Sequence, residues 1–466
     1  MVAAPALEPA GRDTPGRIGG PGYAWALFEG GRNPYVVLCT IYVLAPYIAS
    51  TVIGDPVEGQ ALIAEWTKTA ALLGALTAPF LGAAADRAGA RKPLLALVVA
   101  LMCPLVASLW FAAPGGMLTV PQIGLLITAI GLLFVWSEVL HNAMLPAQGP
   151  ARMAPHVSGL GLALGNGVSV LLLVLVLVFV ALPGQVDWPF VPATPAFGLD
   201  PATHEPSRVV APLAAGVFAF LAIPLFLFAR DGVRGTGWIA AAREGIGSVL
   251  GTIGKLRDHR NIAVFLAARM LFVDGKAAIL IIGGVFAAGV MQWGLVEMLA
   301  YGVILSVFAV GGGFLGGWLD VTMGQKRALV LEICVTLLMG LAMATMGRGV
   351  IFLMPVGEVP VWDGPVFRTL PELIYVGLAC VIAVTITACY ASSRSMMAAL
   401  APKGMEGELF GLYAVAGTAT AWLGPLLVEI FTRAFDSQRI GFASISILLV
   451  SGLAVLLFVR QPARSD

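Results

Sequence analysis

Phe80-Leu81-Gly82-Ala83-Ala84-Ala85-Asp86-Arg87-Ala88-Gly89-Ala90-Arg91-Lys92 closes one apolar stretch, and Phe314-Leu315-Gly316-Gly317-Trp318-Leu319-Asp320-Val321-Thr322-Met323-Gly324-Gln325-Lys326-Arg327 closes another half a chain length later. Each runs from a Phe-Leu-Gly triplet through an Asp and a Gly to a basic pair. The second copy carries one extra residue between Asp320 and Gly324. A repeat at this distance predicts a chain built as two similar halves. Glu29-Gly30-Gly31-Arg32 against Asp274-Gly275-Lys276, and Leu145-Pro146 against Ala401-Pro402, extend the correspondence.

Working outward from these turns, the segments between them are apolar at lengths that suit a bilayer. Hydrophobic residues make up 59% of the 466 positions and charged residues 11%, whereas a soluble domain carries about a quarter charged residues. A span needs about 20 apolar residues, and twelve candidates fit: 24–53, 61–84, 93–113, 121–145, 157–181, 209–229, 261–289, 294–318, 327–346, 371–393, 407–432 and 440–459. The fold class expected is an all-α polytopic membrane protein, twelve helices in two pseudo-symmetric six-helix bundles. Residues 1–22 read as a disordered cytoplasmic tail, 23–229 as the first bundle, 230–260 as a basic linker on the membrane surface, 261–459 as the second bundle and 460–466 as a cytoplasmic tail.

Lys and Arg sort to the turns on one side; Arg208, Arg348, Arg368, Arg433 and Arg439 fall on the other. By the positive-inside rule both termini are cytoplasmic. The Pro-rich external connections 182–208 and 347–370 are expected to be irregular. Cys39, Cys103, Cys334, Cys380 and Cys389 lie in apolar stretches without a CxxC pair, which speaks against disulfides and zinc. A net charge of +1 gives no footing for a nucleic-acid partner.

A charge at a span centre costs about 2.5–3.5 kcal/mol on insertion scales, so such residues are the site candidates. Arg269, Asp274 and Lys276 crowd span 7. Arg269 and Asp274 lie about 140° apart on a 3.6-residue helix, so each should meet another helix or a watery cavity. The cluster reads as a solute or proton site, with an interhelical salt bridge as the structural alternative. Glu29 and Arg32 share a face at the start of span 1, where Gly30, Gly31 and Pro34 loosen the helix. Glu138 and His141, three apart in span 4, are a candidate proton relay or a helix-end pair. Glu65 and Lys68 read as structural, and Glu297, Glu332 and Glu429 as interfacial. Arg394, at the end of span 10, is a candidate gate contact. Among Tyr47, Asn166, Tyr301, Thr385, Thr387, Tyr390, Tyr413 and Trp422, all placed to line a cavity, Asn166 between Gly165 and Gly167 is the best candidate.

No nucleophile–base pair, metal cluster or phosphate loop is present, and Gly311-Gly312-Gly313 has no P-loop Lys, so an enzyme, a resident cofactor and a primary pump are not expected. Channel filters are likewise missing. Tandem halves instead suggest a carrier that alternates access to a central site. The competing reading is a receptor, or a pigment- or lipid-handling protein, on the same fold.

At Gly82, Asp86, Gly89, Arg91 and Lys92 the chain resembles major facilitator superfamily transporters, whose loop after span 2 has the form Gly-x3-Asp-x2-Gly-x-Arg-Lys. Asp320, Lys326 and Arg327 mark the second copy. Within that superfamily it resembles the UMF1 group, the Atg22-like vacuolar effluxers. Trp25-Ala26-Leu27-Phe28-Glu29, Pro46-Tyr47, Asn142-Ala143-Met144-Leu145-Pro146, Val157-Ser158-Gly159-Leu160-Gly161, Asp274-Gly275, Ser393-Arg394, Phe410-Gly411-Leu412-Tyr413 and Gly424-Pro425 carry the resemblance. Gly30-Gly31-Arg32 departs from it, many relatives reading Trp-Ala-Asn. The resemblance implies export or recycling of amino acids or similar small solutes, coupled to protons; a gating role for the basic turns, a monomer and a bacterial inner membrane are further expectations.

Overall fold

The computed structural model describes residues 18–461 except 89, 151–152, 232–258, 402–408, 410–411, 414–415 and 418. The expected tails, almost all of the linker and Gly89 therefore lie outside the described residues, as does the side chain of Asp86.

Twelve elements cross the molecule among the described residues. They are α1 (Gly20–Val52), α2 (Pro56–Ala88), α3 (Lys92–Phe111), α4 (Val120–Gln148), α5 (His156–Ala181), α6 (Glu205–Phe228), α7 (Arg260–Met291), α8 (Leu295–Met323), α9 (Gln325–Ala344), α10 (Leu370–Leu400), α11 (Leu423–Phe435) and α12 (Gln438–Leu457). Ten of them are long and apolar enough to cross a membrane. The others are α2, which carries Glu58, Glu65 and Lys68, and the short α11. Only helices and closed barrels satisfy every backbone group within a segment in lipid, and the chain is an integral membrane protein of two six-helix bundles.

Local chemistry explains the departures from regular helix. In α1, Pro34 and Pro46 each remove a backbone donor. The ladder widens to π-type turns over Tyr35–Tyr42 and Ile48–Val52 beside them. Span 11 lies partly outside the described residues: Leu409, Leu412, Tyr413, Ala416 and Gly417 are helical, turns follow at 419–422, and regular helix runs over Leu423–Phe435. The connection 347–370 is also less irregular than expected, since β1 (Val350–Ile351) and β2 (Met354–Pro355) pair antiparallel.

The bundles meet chiefly at the face opposite the termini, called here the far face. A Cβ on Gly284 of α7 would lie 1.7 Å from the Ile41 carbonyl oxygen of α1, so only glycine permits that approach. Within the second bundle, Gly312 of α8 faces the Val384 carbonyl of α10 in the same way, at 2.3 Å.

Candidate functional site

A set of hydrogen bonds and ion pairs joins the two bundles at the far face. Lys68 of α2 pairs with Glu429 of α11. Arg433 donates to Glu429 at 2.8 Å and crosses to Glu65 at 2.6 Å. Deeper in, Gln60 donates to Thr432 Oγ1 at 2.9 Å and to the Gln438 carbonyl at 3.1 Å, while Gln438 donates back to the Pro56 carbonyl at 2.7 Å. Glu65 and Lys68, read from sequence as a local structural pair, are thus not partners of each other; each reaches into the second bundle.

Behind this closure lies a cavity of about 760 Å³ between the bundles, of ligand-pocket size. Its walls come from α1, α5, α7, α8, α9, α10 and α12. Asn166, Tyr301, Thr387 and Tyr390 line it as expected, joined by Tyr42 and Ser306, which sequence reasoning passed over. Tyr47 does not: its hydroxyl donates to the Ala112 carbonyl at 3.3 Å, away from the cavity. Thr385 is also turned away and shares a hydrogen bond with Thr336 at 2.9 Å.

Beside α1 the structure assembles a second site from residues the sequence held apart. Arg32 donates to Glu29 Oε2 at 2.7 Å, and His141 Nδ1 stands 3.5 Å from that same oxygen. The imidazole is fully buried, stacked against Trp25 at 4.1 Å and Phe28 at 4.5 Å. Its Nε2 lies 2.9 Å from the Trp25 carbonyl, and Trp25 Nε1 donates to the His141 carbonyl at 2.8 Å. A carbonyl only accepts, so Nε2 carries a proton. In the neutral imidazole the Nδ1 lone pair then faces a carboxylate, and a proton held between them relieves that opposition. The expected Glu138–His141 pair is not formed. The ring turns toward α1 because aromatic stacking and the Trp25 carbonyl are available there.

The span-7 cluster also disperses. Asp274 Oδ2 accepts the Gly424 backbone N–H at 3.1 Å. Arg269 donates to the Tyr413 carbonyl at 2.6 Å and lies 3.5 Å over the Tyr413 ring. Lys276, fully buried, reaches the Thr385 carbonyl at 3.4 Å. None of the three lines the cavity. Glu332, read as interfacial, is buried in the second bundle, where Ser392 donates to its Oε1 at 2.9 Å. Glu297 caps α8 through the Gly294 N–H at 3.1 Å.

At the opposite face, several of the candidate gating residues can be placed individually. Asp320 is buried without a bond to its Oδ1, Arg327 and Arg394 are exposed, and Lys326 donates within its own bundle to the Leu457 carbonyl at 2.8 Å. Gly82 packs against Val139 of α4. Arg91 and Lys92 present their backbone N–H groups to Asp231 at 2.8 and 3.0 Å, so Asp231, unremarked in the sequence, holds the start of α3. The Lys326 side chain and the start of α3 are thus held by groups of their own half of the chain.

The model of a family described as "Vacuole effluxer Atg22 like" matches residues 148–464. Autophagy-related protein 22 of Yarrowia lipolytica is 25% identical over 231 residues, 49% of this chain and 36% of that protein. An uncharacterized MFS-type transporter, YxiO of Bacillus subtilis, is 24% identical over 215 residues, 46% of this chain and 45% of its own length. The chain thus spans less than half the length of these curated relatives. Among solved structures, a bacterial homolog of the human lysosomal transporter Spinster aligns with TM-score 0.62 at 13% identity, covering 94% of this chain and 95% of that one. The nucleoside transporter NupG aligns with TM-score 0.60 at 12% identity, covering 94% and 98%. These likenesses establish the major facilitator fold. The fungal relatives lend no support to a bacterial inner membrane as the location.

Proposed function

From the premise that this chain belongs to the Atg22-like vacuole effluxer family, and is a transporter rather than an enzyme, we propose that it moves a small organic solute by alternating access. The observation that carries this reading is the cavity between two bundles that are hydrogen-bonded to each other across the far face. The family description supports efflux as the direction. Both termini face the cytoplasm in this reading, and the bonded far face is then the external side of a monomeric carrier.

In this reading Glu29, Arg32 and His141 hold the coupling proton. Protonation of His141 turns an opposed lone pair into an ion pair with Glu29, while Arg32 keeps the carboxylate compensated in both states. Asp274, Arg269 and Lys276 act by fixing α7 to α10 and to the region before α11. Asp86, Asp320, Arg91, Lys92, Lys326, Arg327 and Arg394 act in closing the cytoplasmic side, where they come together when the far face opens.

Flux in proteoliposomes tests the proposal. Saturable uptake that shows counterflow supports a carrier. Binding of a solute with no flux supports a receptor and defeats the transport reading.

A further inference from the structure

Among the described residues the cavity wall contains no Asp, Glu, Lys, Arg or His. Arg32, Asp274, Lys276 and Arg269 lie outside the lining, each with a contact elsewhere: Glu29, the Gly424 N–H, the Thr385 carbonyl and the Tyr413 carbonyl respectively. An ion entering such a space loses hydration worth several kcal/mol and meets no opposite charge in return.

What the wall does offer is specific. Tyr42, Tyr301 and Tyr390 present rings. Ser306 donates its hydroxyl hydrogen to the Gly302 carbonyl at 2.7 Å and Thr387 to the Ala383 carbonyl at 3.0 Å. With those hydrogens used within their own helices, both oxygens remain available as acceptors. Asn166, exposed in the wall, adds an amide.

We infer that the cavity takes a solute uncharged at neutral pH, with an apolar or aromatic body and hydroxyl or amide groups that donate to Ser306, Thr387 and Asn166. A free amino acid, whose ammonium and carboxylate both need opposite charges, does not fit it. The inference rests on the transport reading for its place in a cycle but not for its binding chemistry.

A cavity-filling variant tests it. A Cβ on Gly167, which lines the cavity, meets nothing within 4 Å, so a side chain there starts in open space; Gly167→Phe is the filling variant and Gly167→Ala the control. Purified full-length protein is equilibrated with a mixture of amino acids, their N-acetyl amides, nucleosides, polyols and organic acids, and the retained compounds are read by mass spectrometry. Wild type and Gly167→Ala are expected to retain uncharged members, with retention falling about tenfold in Gly167→Phe, as for loss of a main contact surface. Retention of zwitterions or ions that Gly167→Phe removes overturns the inference, and so does a profile the substitution leaves unchanged. Counterflow of the retained compound then bears on transport alone: binding without counterflow ends the transport reading and leaves the ligand class standing.

Discussion

Asp274 of α7 accepts the backbone N–H of Gly424, the second residue of α11, at 3.1 Å. The first turn of a helix has N–H groups with no intrahelical partner, and here the acceptor comes from a neighbouring helix. The turns at 419–422 that precede α11 and the buried acid of α7 thus meet at this bond. Asp274→Ala is expected to lower stability by about 0.5–2 kcal/mol, as for a lost cap, and Asp274→Asn, which keeps an acceptor oxygen, by less. Thermal unfolding in detergent checks the order; equal losses would separate the effect from the cap.

Proton coupling is assigned to Glu29 and His141, so His141→Phe should keep the stack with Trp25 and Phe28 while removing the titrating group. Solute counterflow is expected to persist and pH-driven accumulation to be lost. Asp274→Asn should retain both. Flux measured with and without a pH gradient distinguishes the two variants, and pH-driven accumulation in His141→Phe would refute the assignment.

Arg32 compensates Glu29 within a largely buried site. Removing one member of a buried ion pair costs about 3–5 kcal/mol because the partner charge is stranded. Arg32→Gln is therefore expected to fall in yield and melting temperature, and Glu29→Gln with Arg32→Gln to recover much of the loss. The comparison is a double-mutant cycle on unfolding; additive losses would show that the two charges do not act as a pair.

The far-face ion pairs are partly exposed, with Arg433 at 39% and Lys68 at 21% side-chain accessibility. Such pairs contribute about 0.2–1 kcal/mol each. Glu429→Gln should shift the conformational balance toward an open far face by about two- to fivefold, by the population arithmetic of that energy. Gly284→Ala should act in the same direction and more strongly, since its methyl would meet the Ile41 carbonyl. Gly311→Ala, whose Cβ would meet nothing within 4 Å, should be silent. Cysteine accessibility from the far side measures each.

The fold was legible because lipid imposes one rule: apolar runs must become helices, and basic turns mark one side. The repeat of Phe80-Leu81-Gly82 at Phe314-Leu315-Gly316 was enough to show the halves. The site was legible residue by residue but not in its pairings. Glu29, Arg32 and His141 were each visible as costly charges or titrating groups, yet nothing in spacing shows that His141 turns from Glu138 to Trp25. Gln60 and Gln438, which bridge the bundles, are uncharged and carried no hydropathy signal. Glu332 misled because its place early in a span resembles an interfacial position, while the packing of α10 through Ser392 encloses it.

Alternating access makes the two faces move reciprocally, and spin-label distances report this without knowledge of the solute. One pair at Glu58 and Ala434 spans the far face, and another at Leu162 and Phe314, both exposed, spans the opposite mouth between α5 and α8. Across a pH series and on addition of a retained solute, the first distance is expected to lengthen in a subpopulation as the second shortens. A single invariant distance at both faces would contradict a carrier mechanism.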